Sequence, residues 1–273
     1  MGRLLHLSDL HFGAERKGLV APLIALARRL RPDAVVISGD LTQRARAGQF
    51  SAAAGLIGQL PRPVLCIPGN HDMPLHNPLA RLFWPYRAYC KVAGPDLEPV
   101  VETADLLMVG VNTSDPFVWQ RGTLRPASLR HVAAVFAGAR PGQLRVVALH
   151  HPLTTPRATG KTPMKGADTG SEALARAGAD VILSGHLHLW AAAPFALRKG
   201  ARSMLCVQAG TSLSSRLRGE DNDLNVIDFD HGLVTVTRWR TVGEALEYMP
   251  ESVTRYQQDC ADTGWGRQES EEN

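Results

Sequence analysis

Residues 68–72 read PGNHD and follow a short apolar run, VLCI, at 64–67. Pro68 and Gly69 leaving a strand, with Asn70 and Asp72 tolerating a tight turn, would satisfy turn chemistry by themselves. His71 is the residue a turn does not ask for. The two readings separate if other parts of the chain also put His or Asp directly after a short buried strand, and they do. Residues 3–8 lead into Asp9, Leu10 and His11; 34–38 into Gly39 and Asp40; 144–149 into His150 and His151; 181–184 into Gly185, His186, Leu187 and His188. His11, His71, His150, His186 and His188 make up half of the ten histidines, and buried imidazoles at that density are hard to satisfy without a metal. His186 and His188 lie two apart, so an extended chain points both to one side.

Between these strands, apolar residues recur at helical spacing over 19–30, 45–60, 127–137 and 171–177. Further strands are predicted at 100–102, 106–111, 203–207, 224–229 and 233–239, the last two as a hairpin turning at His231 and Gly232. Residues 73–99 read as an inserted helical segment, whose aromatic cluster from Phe83 to Tyr89 is expected in the core rather than as a substrate platform. After Arg240 the apolar pattern dissolves, so 1–240 is expected to form the folded domain and 241–273 a partly disordered C-terminal tail. Alternating helices and strands make this an α/β protein, in which the carboxyl ends of the strands form the rim where ligands bind. Gly39, Gly69 and Gly185 are expected to let the backbone turn sharply at that rim.

Composition narrows the function class. At 273 residues, 44% hydrophobic and 21% charged, the chain has the make-up of an ordinary globular protein. Cys66, Cys90, Cys206 and Cys260 lie far apart without a CxxC pair, which argues against a disulfide framework or a thiolate metal site. No apolar stretch approaches the length of a membrane span and none at the N-terminus reads as a signal segment, so a cytoplasmic location is expected. A net charge of +4 with a pI near 9.0 favours an anionic substrate and is too mild to point to nucleic acid.

In this order and in these strand contexts, DLH, GD, GNHD, HH and GHLH resemble the motif set of the calcineurin-like metallophosphoesterases. The resemblance covers residues 3 to about 240. It implies a four-layered αββα sandwich with two mixed β-sheets and a metal site at the C-terminal rim of the strands. It also implies a ligand set: Asp9, His11, Asp40 and His188 for one ion, and Asp40, Asn70, His150 and His186 for the other, with Asp40 bridging. Carboxylate, imidazole and carboxamide donors without thiolate suit Mn, Fe, Co or Zn. A pair of such ions generates hydroxide from a shared water near neutral pH, so no protein nucleophile is needed. His71, beside a ligand but not itself one, is placed to hydrogen-bond the phosphoryl group or to protonate the departing oxygen, with Asp72 orienting or charge-stabilising it; Asn70, His71 and His188 would meet the substrate.

Taken singly, Asp9 and Asp40 also fit helix N-caps, and His151 fits a packed strand-end residue; their joint occurrence with the other motifs favours the metal reading for the aspartates. His6, His76, His131 and His231 belong to no motif and are expected to be structural or exposed. The motifs are most similar to the cyclic-nucleotide and glycerophosphodiester phosphodiesterase branch, which implies hydrolysis of a small soluble phosphodiester. A UDP-diacylglucosamine type pyrophosphatase commonly has Arg at the place of His71, a nuclease of this fold carries a further DNA-binding domain, and a metal-free scaffold loses ligands. Arg157, Lys161 and Lys165 occupy a Pro- and Gly-containing loop at 152–168 that either leans over the rim toward an anionic substrate or is simply solvated.

Overall fold

A computed structural model of the chain describes residues 1–156, 159–196, 202–259 and 264–268. The first half alternates as expected: β1 (Gly2–Leu7), α1 (Val20–Leu30), β2 (Ala34–Ile37), α2 (Ala47–Ile57) and β3 (Val64–Cys66). The segment after PGNHD forms two short helices, α3 (Pro78–Phe83) and α4 (Arg87–Ala93). Asn77 caps α3 by accepting from the backbone N–H of Ala80 at 2.9 Å, and Pro78 occupies the first turn, where a missing N–H costs nothing. Then come β4 (Val100–Glu102), β5 (Leu106–Val111), α5 (Pro126–Phe136), β6 (Leu144–Leu149), α6 (Ala167–Arg176) and β7 (Val181–Ser184). Strands complete the order: β8 (Ala191–Phe195), β9 (Met204–Gln208), β10 (Asp223–Asp230), β11 (Leu233–Arg240), β12 (Met249–Gln258) and β13 (Trp265–Gln268).

These strands make a seven-stranded sheet, ordered β13-β12-β11-β10-β1-β2-β3, and a six-stranded sheet, ordered β4-β5-β6-β7-β9-β8. Both are mixed. β1, β2 and β3 run parallel while β10 joins β1 antiparallel; β5, β6, β7 and β9 run parallel between antiparallel edges β4 and β8. Side-chain alternation then sorts the core into three apolar layers. Leu5, Leu7, Val35 and Ile37 pack outward against Leu23 and Ala27 of α1 and Phe50 and Ala53 of α2. Leu4, Val36 and Leu65 face inward and meet Met108, Val146 and Leu183 of the other sheet. Val109, Val147 and Ile182 pack on the far side against Val132 and Phe136 of α5 and Leu174 of α6. The result is the αββα sandwich, its central strands apolar on both faces because both faces are covered.

Three expectations need correction. Residues 241–273 are not a tail over their described part: β12 and β13 extend the larger sheet, with Val234 opposite Tyr256 and Tyr256 opposite Arg267. Tyr256 and Trp265 reach the inter-sheet core, whereas most of MPESVTRYQQ is exposed, so the strand carries no apolar run to read. β8 was missed for the same reason, as an edge strand of mostly exposed small residues. The aromatic cluster splits: Tyr89 is fully buried under α2, but Phe83 and Trp84 are each 61% exposed. The hairpin turns where expected, with His231 and Gly232 both at positive φ, as a tight two-residue turn requires. Arg157, Cys260 and residues 269–273 lie outside the described residues. No described helix is long and apolar enough to cross a membrane.

Candidate metal centre

The loops after β1, β2 and β3 and those after β6 and β7 meet at one end of the sandwich, across the top of both sheets. Backbone bonds clip them together. Asp9 donates its N–H to the Gly39 carbonyl at 3.1 Å, His11 to the Asp40 carbonyl at 3.0 Å, and Gly185 to the His150 carbonyl at 3.1 Å. Eight described non-glycine residues have positive φ, and five of them are Asp9, His11, Asp40, His186 and His188. A left-handed backbone is costly for such residues, so its concentration here marks a site that the surrounding structure holds in a demanding shape.

The glycines act differently from expectation. Gly39 does take φ +100°, but the neighbours of Gly69 and Gly185 explain those positions by space: a Cβ there would lie 2.1 Å from Asp40 Oδ1 and 2.4 Å from Asp9 Oδ2, respectively. The backbone must approach the carboxylates that closely because it donates to them. His186 N–H reaches Asp9 Oδ2 at 2.9 Å, joined by the Ser8 hydroxyl at 2.6 Å, and His71 N–H reaches Asp40 Oδ1 at 2.8 Å.

Each carboxylate thereby commits one oxygen to the protein and turns the other inward. Asp9 Oδ1 is buried with no hydrogen-bond donor, 3.1 Å from His188 Nε2 and 3.4 Å from His11 Nε2. These two imidazole nitrogens are 3.1 Å apart. His188 donates its Nδ1–H to the Arg216 carbonyl at 2.9 Å, which leaves a bare lone pair on Nε2. Asp40 Oδ2 lies 3.6 Å from His11 Nε2 on one side and 3.4 Å from His150 Nε2 on the other. His150 donates Nδ1–H to the Ser38 carbonyl at 2.8 Å, and its Nε2 sits 3.3 Å from Asn70 Oδ1. Converging lone pairs around an oxygen without a donor are what a cation would resolve, and the nitrogen and oxygen donors fit a first-row divalent metal.

Burial opposes charge throughout this cluster. It pushes Asp9 upward, but His188 and His11 overrule it and hold the carboxyl well below the usual range. Against the same burial, Asp40 raises His150 to about 9. Burial carries His186 well below its ordinary value and takes His151 to about 3.

All seven residues expected as ligands are at this one end, as is His71. His186 packs its ring 5.1 Å from that of His150, with Lys161 Nζ 3.2 Å from its Nε2. His151 joins them in space, but Thr113 Oγ1 at 2.8 Å and the Gln120 carbonyl at 3.0 Å take both of its nitrogens, so it packs nearby as expected. His71 stands edge-on to His11 at 4.9 Å between ring centroids. Its orientation does not come from Asp72. His71 Nδ1 meets the Gln43 carbonyl at 2.9 Å, which leaves Nε2 toward the cleft. Asp72 instead accepts from Leu41 N, Thr42 N, Thr42 Oγ1 and Gly69 N, fastening the loop after β2 to the loop after β3. Burial, followed by the charge of Asp40, lifts Asp72 to about 7, against the pull of those N–H donors.

The cleft above the cluster has a volume of about 320 Å³. Its floor is Asp40, Asn70, His71, His186 and His188, and its walls include Trp119, Lys161, Arg216 and Arg218. A family model described as calcineurin-like phosphoesterase matches residues 2–189. The chain belongs to the calcineurin-like phosphoesterase family.

Other likenesses agree with that membership. The chain is 39% identical over 82 residues to the glycerophosphodiester phosphodiesterase GpdQ of Enterobacter lignolyticus, covering 25% of this chain and 29% of that protein. It is 28% identical over 205 residues to a cAMP/cGMP dual specificity phosphodiesterase of Mycobacterium tuberculosis, covering 68% of this chain and 61% of that one. In each case the match spans less than two thirds of the relative's length. Among solved structures, the purple acid phosphatase PPD1 of yellow lupin superposes with a TM-score of 0.70 at 11% identity, over 96% of this chain and 55% of that one, a likeness of fold.

Sequence reading did not find Gln43, Trp119, Arg216 or Arg218. None sits in a strand-end motif: they come from loops after β2, β5 and β9, and only the fold brings Trp119, Arg216 and Arg218 to the cleft and Gln43 against His71. Lys161 did stand out in sequence as a candidate to lean over the rim, and the folded loop puts it on the cleft wall.

Proposed function

We propose that this chain is a dinuclear metal-dependent phosphodiesterase acting on a small soluble phosphodiester, such as a 3′,5′-cyclic nucleotide. The observation that carries the reading is Asp40: its Oδ2 lies between His11 Nε2 at 3.6 Å and His150 Nε2 at 3.4 Å, as a bridging carboxylate would. Asp9, His11, Asp40 and His188 would hold one ion and Asp40, Asn70, His150 and His186 the other, drawn from Mn, Fe, Zn or Co. When bound, such a pair activates water as nucleophile and offsets charge on the phosphoryl oxygens.

The remaining work falls to the chain itself. Carbonyls of Ser38 and Arg216 fix the tautomers of His150 and His188, so that each presents Nε2 to the centre. Asn70 and His188, at the cleft floor, flank the phosphoryl group. His71, held by its Nδ1–H to the Gln43 carbonyl, turns Nε2 toward the leaving oxygen and gives it a proton when the ring is the imidazolium, with hydrogen on both nitrogens. Trp119, 61% exposed on the cleft wall, gives a planar leaving group a face to lie on. The two curated relatives, both phosphodiesterases by name, support diesters over monoesters.

The test is hydrolysis of an aryl phosphodiester and an aryl phosphomonoester by chelator-treated protein before and after Mn addition, followed by a panel of cyclic nucleotides, glycerophosphodiesters and nucleotide-lipid pyrophosphates. The expected result is no activity after chelation, restoration by Mn, and preference for the diester and the cyclic nucleotides. Inactivity on every substrate with metals bound would overturn the reading in favour of a scaffold.

A further inference from the structure

The cleft walls carry more positive charge than one phosphodiester would use. Arg44, Lys161, Arg216 and Arg218 line the same cleft as Asp40 and His71. Among the described residues, none of these side chains is ion-paired to a carboxylate, and the one acid lining the cleft is Asp40 on the floor. That carboxylate belongs to the proposed metal set, so it does not neutralise the walls. Like charges gathered without counter-charge are unfavourable, and a bound anion is what relieves them.

The arrangement is also held in place. The main chain of Arg216 is fixed by the bond from His188 Nδ1 to its carbonyl, and its guanidinium reaches Gln43 Oε1 at 3.4 Å. Gln43 is the residue whose carbonyl orients His71. The cationic wall is therefore tied to the floor where the phosphoryl group would sit, in one cleft of about 320 Å³.

We infer that the preferred substrate carries a second anionic group, a phosphate or carboxylate separate from the diester that is cleaved, and that Arg216 and Arg218 bind it. This rests on the phosphodiesterase reading above and moves its substrate class away from a plain cyclic nucleotide, whose one charge is the diester itself, toward a diester with a further anion. A guanidinium pair suits an anion with several oxygens, which it engages through parallel N–H donors.

The experiment compares three nitrophenyl diesters on the Mn-loaded 273-residue chain: thymidine 5′-(4-nitrophenyl phosphate), the same compound with a 3′-phosphate, and 4-nitrophenyl phosphocholine, which carries a cation beside its diester. The expected kcat/KM order is the substrate with a second anion, then the one with the diester alone, then the zwitterion, with about tenfold between the first two, expressed mainly in KM and shrinking as salt is raised. In Arg216→Ala/Arg218→Ala the ratio between the two nucleotides is expected to fall to within about twofold, and in the Arg→Lys pair to stay above that. Equal kcat/KM for the two nucleotides in the wild type would overturn the inference while leaving the phosphodiesterase reading intact. A ratio unchanged in the double Ala variant would overturn the assignment to these arginines. Hydrolysis of none of the three by metal-loaded protein would overturn the underlying reading, and this inference with it.

Discussion

Asp40 gives Oδ1 to the backbone N–H of His71 and turns Oδ2 toward both His11 and His150, so its loss strikes the whole centre at once. Asp40→Ala is expected to lose at least one metal ion per chain by elemental analysis, and to lose turnover with it. A variant that kept two ions and near-normal rate would refute the bridging role. His71→Ala should keep its metals, because Asn70 and not His71 is the proposed ligand, but slow poor leaving groups by about a hundredfold. Nitrophenyl esters leave as stable anions and should suffer far less; equal losses on both substrate types would make His71 a phosphate-binding group instead. His6 lies away from the centre, buried between the sheets with Nε2 2.9 Å from Ser38 Oγ and Nδ1 3.3 Å from Asn225 Nδ2. Burial lowers it to about 3 from 6.5. The unfolded chain therefore takes up this proton first, and stability falls as pH drops from about 6.5 toward 3, by roughly 3 kcal/mol between pH 7 and pH 4. His6→Asn should be less stable than wild type at pH 7 yet lose less on acidification, measured by denaturant unfolding of the metal-free protein. Parallel acid limbs in the two proteins would show that His6 does not contribute. The sequence singled out Asp40 and His71 by their strand-end position; His6 lies within β1 and in no motif, and its burial is something no local pattern records.

The strand-to-loop junctions are where this protein's elements do their work. Strands β1, β2, β3, β6 and β7 were legible because each is a short, mostly aliphatic run that is largely buried. The loops that leave β2 and β3 are joined by Asp72, whose oxygens accept three backbone N–H groups and the Thr42 hydroxyl inside the core. Removing that acceptor strands buried donors, so Asp72→Ala is expected to destabilise the protein by about 2–4 kcal/mol. It should also weaken metal binding, since Asp40 and Asn70 sit on the two loops it joins. Chemical denaturation and metal titration of the variant give both numbers; unchanged stability would mean that water replaces the carboxylate at no cost. Asp72 illustrates a limit of sequence reading at this scale. Its neighbour His71 made an orienting role plausible, but whether a side chain in a tight turn points at its neighbour or across to another loop is set by the backbone of both loops.

At the level of the whole molecule, the larger sheet ends on β12 and β13, and Tyr256 and Trp265 from these strands complete the layer between the sheets. A chain ending at residue 248 would leave the edge of β11 unpaired and open Val234 and Val236 to water. It is expected to be recovered mostly as aggregate, or to unfold at least about 10 °C lower than the full chain, since such losses amount to several kcal/mol. Equal melting temperatures and solubility would return these strands to the status of a dispensable extension. The sequence by itself determined the alternation of strands and helices, the apolar layers and the candidates for the chemistry-bearing residues, because those follow from side-chain period and from residue types no turn or core requires. It could not place β12 and β13, whose exposed polar residues obtain their order from pairing, β12 on β11 and β13 on β12, rather than from their own pattern. Only the tertiary structure decided that the proposed metal-ligand motifs of two separate sheets meet at one end, that Gln43 rather than Asp72 orients His71, and that Arg216 and Arg218 face the same cleft. Each of those depends on contacts between loops far apart in the chain, and spacing along a sequence carries no information about how such loops come together.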